Sequence, residues 1–348
     1  MIYFQNDYLL GAHPEILKAL IDTNDLPMAG YGSDTLTLSA QDKIKHVIHS
    51  TTSDVYFLTG GTQTNKIVID CILDRHEGVI SASTGHIFTN EAGAIEASGH
   101  KVLTIPSLDG KISAEQIKEL VDRFYQDPSH SHKVHPGMIY LTHPTELGTM
   151  YTKSELTAIY DMAQQLNLPV FIDGARLLYA LAADKNDIQL SDLAQLSDIF
   201  YIGGTKAGLL CGEAIIFKEN MMPSHFFTFV KQNGALNAKG RLIGAQFDRL
   251  FTDYLWQEIG QVGIQRAKEL VAVFEKHHIE FYLKTPTNQQ FVILDNDLYH
   301  KLSKNVQMTY WSPANDEQTV VRFVTSWSTK HEDITALDAH IESIKKDK

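Results

Sequence analysis

The sequence predicts a doubly wound, mainly parallel α/β sheet followed by a smaller C-terminal α+β unit. Three observations carry that reading. Short apolar runs alternate with amphipathic stretches of helical period between residues 54 and 217, the pattern of strands joined by crossover helices. The alternation stops after residue 219. Residues with chemical character gather where the apolar runs end, and ligands of open α/β sheets bind at the carboxyl ends of strands.

The elements follow in order. Asp54–Leu58 reads as a strand, Thr62–Leu73 as an amphipathic helix, and Val79–Ser83 as a strand. Phe88–Ser98 reads as a helix and Val102–Ile105 as a strand. Ser113–Tyr125 is helical, with Ile117, Leu120, Val121 and Phe124 on one face and Ser113 and Gln116 as a capping pair. Gly137–Leu141 is a strand, Ser154–Leu166 a helix, and Val170–Ile172, Ile199–Ile202 and Glu213–Phe217 are strands. Residues 219–237 break the pattern, and Leu242–Leu270 is long and mostly helical. Phe291–Leu294 and Val320–Val324 look like strands of a second unit, closed by a helix over Ile334–Ile344. The expected organisation is an N-terminal arm over 1–20, a large α/β domain over 21–250 and a small domain over 251–348.

Composition narrows the function classes. The chain has 348 residues, 43% of them hydrophobic and 21% charged, as in an ordinary soluble enzyme. Its net charge of −12 argues against nucleic acid or an anionic membrane as partner, because either needs a basic face. Residues 1–7 lack the basic and apolar stretches of a secretory signal. No apolar run approaches the roughly 18 to 20 residues that cross a bilayer. The two cysteines, Cys71 and Cys211, read as free thiols. The expected compartment is the cytoplasm.

Two strand ends point to a cofactor. The run Val170-Phe171-Ile172 ends in Asp173-Gly174-Ala175-Arg176, and Ile199–Ile202 runs into Gly203-Gly204-Thr205-Lys206-Ala207-Gly208. A carboxylate and an amine at the ends of consecutive buried strands suit pyridoxal phosphate. The amine condenses with the aldehyde, and the carboxylate keeps the pyridine nitrogen protonated. Small residues around Lys206 suggest something bulky against the backbone, and desolvation would lower the lysine's pKa.

Other candidates stand beside plainer readings. Thr59-Gly60-Gly61-Thr62 opens a helix where free amides attract a phosphate, or it is an ordinary strand-to-helix turn capped near Thr62. His86 offers a flat imidazole for stacking, or a hydrogen bond at a helix entrance. In Thr142–Thr149, His143 or Glu146 offers a base, against simple loop polarity. Arg322, mid-strand among apolar residues, needs an anion, either a substrate carboxylate or a structural partner. His130, His132 and His135 alternate as metal ligands do, but beside two prolines a solvated loop is the simpler reading, and no metal is expected.

Over nearly its whole length the chain resembles the threonine aldolase and β-eliminating lyase family, a branch of the fold type I pyridoxal phosphate enzymes. Asn6-Asp7, Gly30-Tyr31-Gly32, Gly60-Gly61-Thr62 with Asn65, His86 with Glu91-Ala92-Gly93, Asp173-Gly174-Ala175-Arg176, Thr205-Lys206 and Arg322 carry the resemblance. It implies the fold type I transferase-like architecture. It also implies cleavage of a β-hydroxy-α-amino acid to glycine and an aldehyde, with aminotransfer or β-elimination as alternatives. Lys206, His86, His143 and Asp173 would be catalytic. Gly60, Gly61, Thr62, Arg176 and Thr205 would join His86, Asp173 and Lys206 in holding the cofactor. Asp7, Tyr31, Arg176 and Arg322 would bind the small amino-acid substrate. A homodimer or homotetramer is implied, with Tyr31 and Lys231 reaching a neighbour's site. Two departures mark a divergent branch. His143 aligns with the family histidine in altered surroundings that also hold Glu146. The arginine usual near 234–240 is missing, with Lys231 and Arg241 as possible replacements.

Overall fold

The computed structural model describes residues 1–346. Seven strands form the large sheet: β1 (Asp54–Leu58), β2 (Glu77–Ala82), β3 (Val102–Ile105), β4 (His135–Thr142), β5 (Val170–Asp173), β6 (Ile199–Gly203) and β7 (Glu213–Phe217). Their order is β1-β7-β6-β5-β4-β2-β3. Only β7 runs against its neighbours; the other four pairings are parallel. The mainly parallel sheet expected from the sequence is borne out.

The strands read as continuous apolar runs because both faces are covered. In β4, Met138 and Tyr140 enter one core, and Ile139 and Leu141 the other. Helices Thr35–Val47, Ala114–Gln126, Lys153–Leu166 and Arg241–Leu250 cover the second of these faces. Gly61–Ile72 and Phe226–Gln232 cover the first. Capping boxes start two of these helices: Ser113 with Gln116, and Thr152 with Glu155. Each satisfies two orphan amides at once, a local reason for helices to begin there.

Two helices expected as single pieces are broken. Phe88–Ser98 becomes His86–Thr89 and Ala94–Ala97, because Ala92 and Gly93 take left-handed φ values of 51° and 72°. Leu242–Leu270 becomes Arg241–Leu250 and Leu255–Lys276, split at Asp253 and Tyr254, both also left-handed. Non-glycine residues in that region are uncommon, and neither break carries a proline to announce it. Helices Pro14–Asp22, Thr35–Val47, Leu177–Leu181 and Leu190–Gln195 lie outside the elements expected from the sequence. The histidine cluster forms a one-turn 3-10 helix, His130–His132, and the His130 ring packs on Phe124 and Tyr125.

The C-terminal unit is an antiparallel sheet of β8 (Glu280–Leu283), β9 (Gln289–Asp295), β10 (Thr309–Pro313) and β11 (Gln318–Val324), in the order β10-β11-β9-β8. It is closed by the helix His331–Lys346. Its core holds Phe274, Val292, Phe323 and Leu337, and also Phe4 from the start of the chain. Ile2–Tyr3 pairs with Val306–Gln307. The 22-residue helix Leu255–Lys276 places Leu255 and Ile259 in the large core and Leu270 and Phe274 in the small one. Among the described residues, no helix is long and apolar enough to cross a membrane.

Candidate active site

A cavity of about 640 Å³ opens at the carboxyl ends of the parallel strands. Ser83 and His86 reach it from beyond β2, Glu146 from beyond β4, Arg176 from beyond β5 and Lys206 from beyond β6. Tyr8, Trp311 and Arg322 close it from the N-terminal segment and the C-terminal sheet.

Asp173 is the last residue of β5, 3% exposed, and lies opposite Thr142 of β4. Four donors orient its carboxylate. Tyr140 OH at 2.5 Å and Asn65 Nδ2 at 3.1 Å donate to Oδ2. Tyr201 OH and, at 2.9 Å, the Ala175 amide donate to Oδ1. Burial pushes the Asp173 pKa up, but the field of His86 and the two phenols outweigh it and hold the carboxyl below the ordinary aspartate value. The group is therefore a charged acceptor deep in the protein, the condition a pyridinium partner requires.

Lys206 sits in the turn after β6. Among the described residues its Nζ has no hydrogen-bond or ion-pair partner. Burial and the Arg176 charge pull its pKa down, against Asp7, Asp173 and Glu213. The small residues before it serve the protein's own packing. A Cβ at Gly203 would lie 2.4 Å from Ala175 O, and one at Gly204 would lie 2.4 Å from Leu209 Cδ2. The bulk expected against this backbone is therefore the protein's own. Thr205 is likewise occupied: its hydroxyl donates to Glu213 Oε1 at 2.9 Å and accepts from Gly212 N at 3.1 Å. Glu213, 4% exposed, also accepts from Gly204 N at 3.1 Å, and burial pushes its pKa up to about 8.

His86 Nδ1 lies 2.9 Å from Glu91 Oε1, the same oxygen that accepts from Asn65 Nδ2 at 2.7 Å. Burial lowers the imidazole pKa, but Glu91, Glu146 and Asp173 raise it overall. Glu146 Oε2 accepts from Thr142 Oγ1 at 2.8 Å. Burial raises its pKa, only partly offset by His86. His143 lies elsewhere. It is fully buried, does not line the cavity, and its ring faces Tyr151 at 6.4 Å. Neither ring nitrogen has a partner, and burial drops its pKa to about 4. Of the three candidate bases, His143, Glu146 and His86 acting through water, the cavity holds Glu146 and His86 and not His143.

Asp7 and Arg176 form a buried fork, with Nε to Oδ2 at 2.7 Å and Nη2 to Oδ1 at 3.1 Å. Asn288 also donates to Asp7 Oδ2, at 3.0 Å. Asp7 is thereby spent on protein partners and holds Arg176 rather than facing a ligand amine. Arg322 has no ion pair among the described residues. Gly60 caps the helix Gly61–Ile72 with no side-chain bond, and a Cβ there would meet nothing within 4 Å. The amides of Gly61, Thr62 and Gln63 have no backbone partner among the described residues, as at the start of a helix that can take an anion. Tyr31 is half exposed and away from the cavity, beneath Lys231 Nζ at 5.3 Å. Arg241 donates to the carbonyls of Thr23, Asn24 and Leu26, so it does not replace the missing arginine.

The residues fit pyridoxal phosphate: a partnerless amine in the cavity, an ionised carboxylate held in place on the neighbouring strand, an imidazole lining the cavity, and helix-start amides without a backbone partner. The phenols of Tyr140 and Tyr201 escaped the sequence reading. Each looks like one more core residue in an apolar strand. Only a fixed register brings both to one carboxylate.

Residues 18–297 match the family model described as Beta-eliminating lyase. A low specificity L-threonine aldolase of Pseudomonas sp. is 28% identical over 98% of this chain and 97% of its own length. One from Pseudomonas aeruginosa is 32% identical over 73% of this chain and 72% of its own. The structure of a Leishmania major threonine aldolase is 38% identical, covers 99% of both chains and superposes with a TM-score of 0.94.

Proposed function

The chain belongs to the beta-eliminating lyase family, and on that premise we propose that it is a pyridoxal phosphate-dependent threonine aldolase, cleaving a β-hydroxy-α-amino acid to glycine and an aldehyde. The observation that carries the reading is Lys206 in the cavity, within the field of the buried Asp173 carboxylate at the end of the neighbouring strand. When bound, the cofactor supplies an electron sink for the charge left on Cα as the Cα–Cβ bond breaks. Asp173 and Lys206 would hold its two reacting ends, His86 would lie along it, and the amides of Gly61 and Thr62 would take its phosphate.

The protein's own groups do the remaining work. Burial and the Arg176 charge depress the Lys206 pKa and so favour the neutral amine relative to an exposed lysine. Arg322 offers the substrate carboxylate an unspent guanidinium. Gripping that carboxylate fixes rotation about Cα and presents one bond for cleavage, a gain in orientation rather than in affinity. Glu146 accepts the proton of the β-hydroxyl. Its raised pKa brings it closer to the range in which a carboxylate both takes and returns a proton. Arg176, locked by Asp7, adds positive potential without moving.

A second copy of the chain completes this reading. Leu17, Ile21 and Leu242 lie exposed on Pro14–Asp22 and Arg241–Leu250, two helices packed against each other. We infer that a second copy covers them and that Tyr31 and Lys231 reach its cavity. The function is tested by incubating the purified protein with L-threonine and pyridoxal phosphate. Glycine and acetaldehyde are expected, and Lys206→Ala should lose both turnover and the visible absorbance of the loaded enzyme. A keto acid released with ammonia in place of acetaldehyde would make it a β-eliminating lyase, and one formed only with an added keto-acid acceptor and without ammonia an aminotransferase. Unchanged absorbance in Lys206→Ala would remove the central assignment.

A further inference from the structure

We propose that Gln289 is a positioning residue that aims Arg322 at the substrate carboxylate while leaving its charge unspent. The proposal rests on the reading of Arg322 given above. Arg322 is a half-buried cation with no counterion among the described residues. Its Nη1 donates to Gln289 Oε1 at 3.2 Å, its guanidinium lies 5.5 Å from the Trp311 ring centroid, and its Nε is buried with no partner. An arginine side chain has considerable rotamer freedom, and an unpinned one would lose that freedom on binding. The amide of Gln289 removes most of it in advance.

Gln289 can do so because its own orientation is fixed. It is fully buried, and its Nε2 donates to Thr145 O at 3.2 Å. That bond forces Oε1 toward the arginine, so the amide cannot flip without losing both partners. The acceptor is also neutral. A carboxylate at the same place would pair with Arg322 and neutralise the charge that a ligand needs. The attachment to Thr145 has a second effect, because Thr145 precedes Glu146. One amide thus ties the group for the substrate carboxylate to the loop bearing the group for its hydroxyl. The preceding residue, Asn288, plays the matching part for the other cation by donating to Asp7, which holds Arg176. Neither amide reacts.

The test compares glycine with glycinamide, which lacks the carboxylate, as ligands of the purified holoenzyme, read by the change in its absorbance on titration. The wild type should favour glycine. In Gln289→Met, which keeps the volume and removes both polar contacts, that preference should shrink by about tenfold or more, the effect of losing a charge-assisted hydrogen bond. With L-threonine, KM should rise more than kcat falls. In Gln289→Glu the preference should also fall, because the new carboxylate occupies Arg322. This variant serves equally if the methionine protein does not fold. An unchanged preference in whichever variant folds overturns the proposal. Arg322→Gln separates the two layers. If it abolishes the preference while the Gln289 variants keep it, only the role of Gln289 falls. If it too keeps the preference, the carboxylate reading of Arg322 falls first.

Discussion

Replacing both phenols that hold Asp173 should make cofactor binding depend on acid pH. Tyr140 and Tyr201 each donate one hydrogen bond to this carboxylate. A hydrogen bond to a charged group contributes about 1.5 to 3 kcal/mol, and one pKa unit corresponds to about 1.4 kcal/mol. Each Tyr→Phe change should therefore raise the Asp173 pKa by about one to two units, and the double variant by about two to four. Phenylalanine keeps the ring volume, so the core stays filled. The sign follows from linkage. In the wild type the folded pKa lies below the unfolded one. Asp173 thus contributes stability above the unfolded value, and that contribution is lost as pH falls through the folded value. Once the variant's pKa exceeds the unfolded value, the ionised group costs stability instead. The assay is titration of cofactor-free protein with pyridoxal phosphate, followed by fluorescence from about pH 5 to about pH 9, a window above the ordinary carboxylate range. Wild-type affinity should be insensitive to Asp173 across that window. The double variant should bind progressively more weakly toward its acid end. Matching pH dependence in the two proteins would refute the idea that the phenols hold the charge.

Glu146→Gln should lower kcat by about a hundredfold to ten-thousandfold, the range for loss of a general base, with a smaller change in KM. Wild-type kcat should fall on acidification as Glu146 protonates, and the limb should be absent in the variant; a persisting limb assigns the base elsewhere. His143→Leu should leave turnover nearly intact, because the ring lies outside the cavity. His143 titrates near 6.5 unfolded and about 4 folded, so wild-type stability drops as pH falls between those values. That loss amounts to about 3 kcal/mol at most. Denaturant midpoints measured through this window should show the leucine protein losing less, and equal losses would contradict the burial argument.

Much of this was legible in the sequence, for one physical reason. Apolar runs mark strands, and the residue after a run is at a strand end wherever the chain crosses next. Asp173, Lys206, His86 and Glu146 could be placed on that rule alone. What a strand end does not reveal is direction. His143 and Glu146 stand three residues apart in one loop, and only the fold sends one into the cavity and the other toward Tyr151. Helix breaks at Ala92 and Tyr254 were hidden because neither residue type announces the left-handed conformation it takes there. The partners of Asp173 were hidden because they come from three other elements. The pattern of β4 or β6 records that Tyr140 and Tyr201 are buried, not what their hydroxyls meet.

The helix Leu255–Lys276 is a girder shared by two rooms. Loosening the small core around Phe274 would loosen the same helix where Ile259 sits in the large core. Neither half of the protein therefore owns its thermal endurance. Damage far from Lys206, in the tail third of the chain, would surface as early release of the coenzyme.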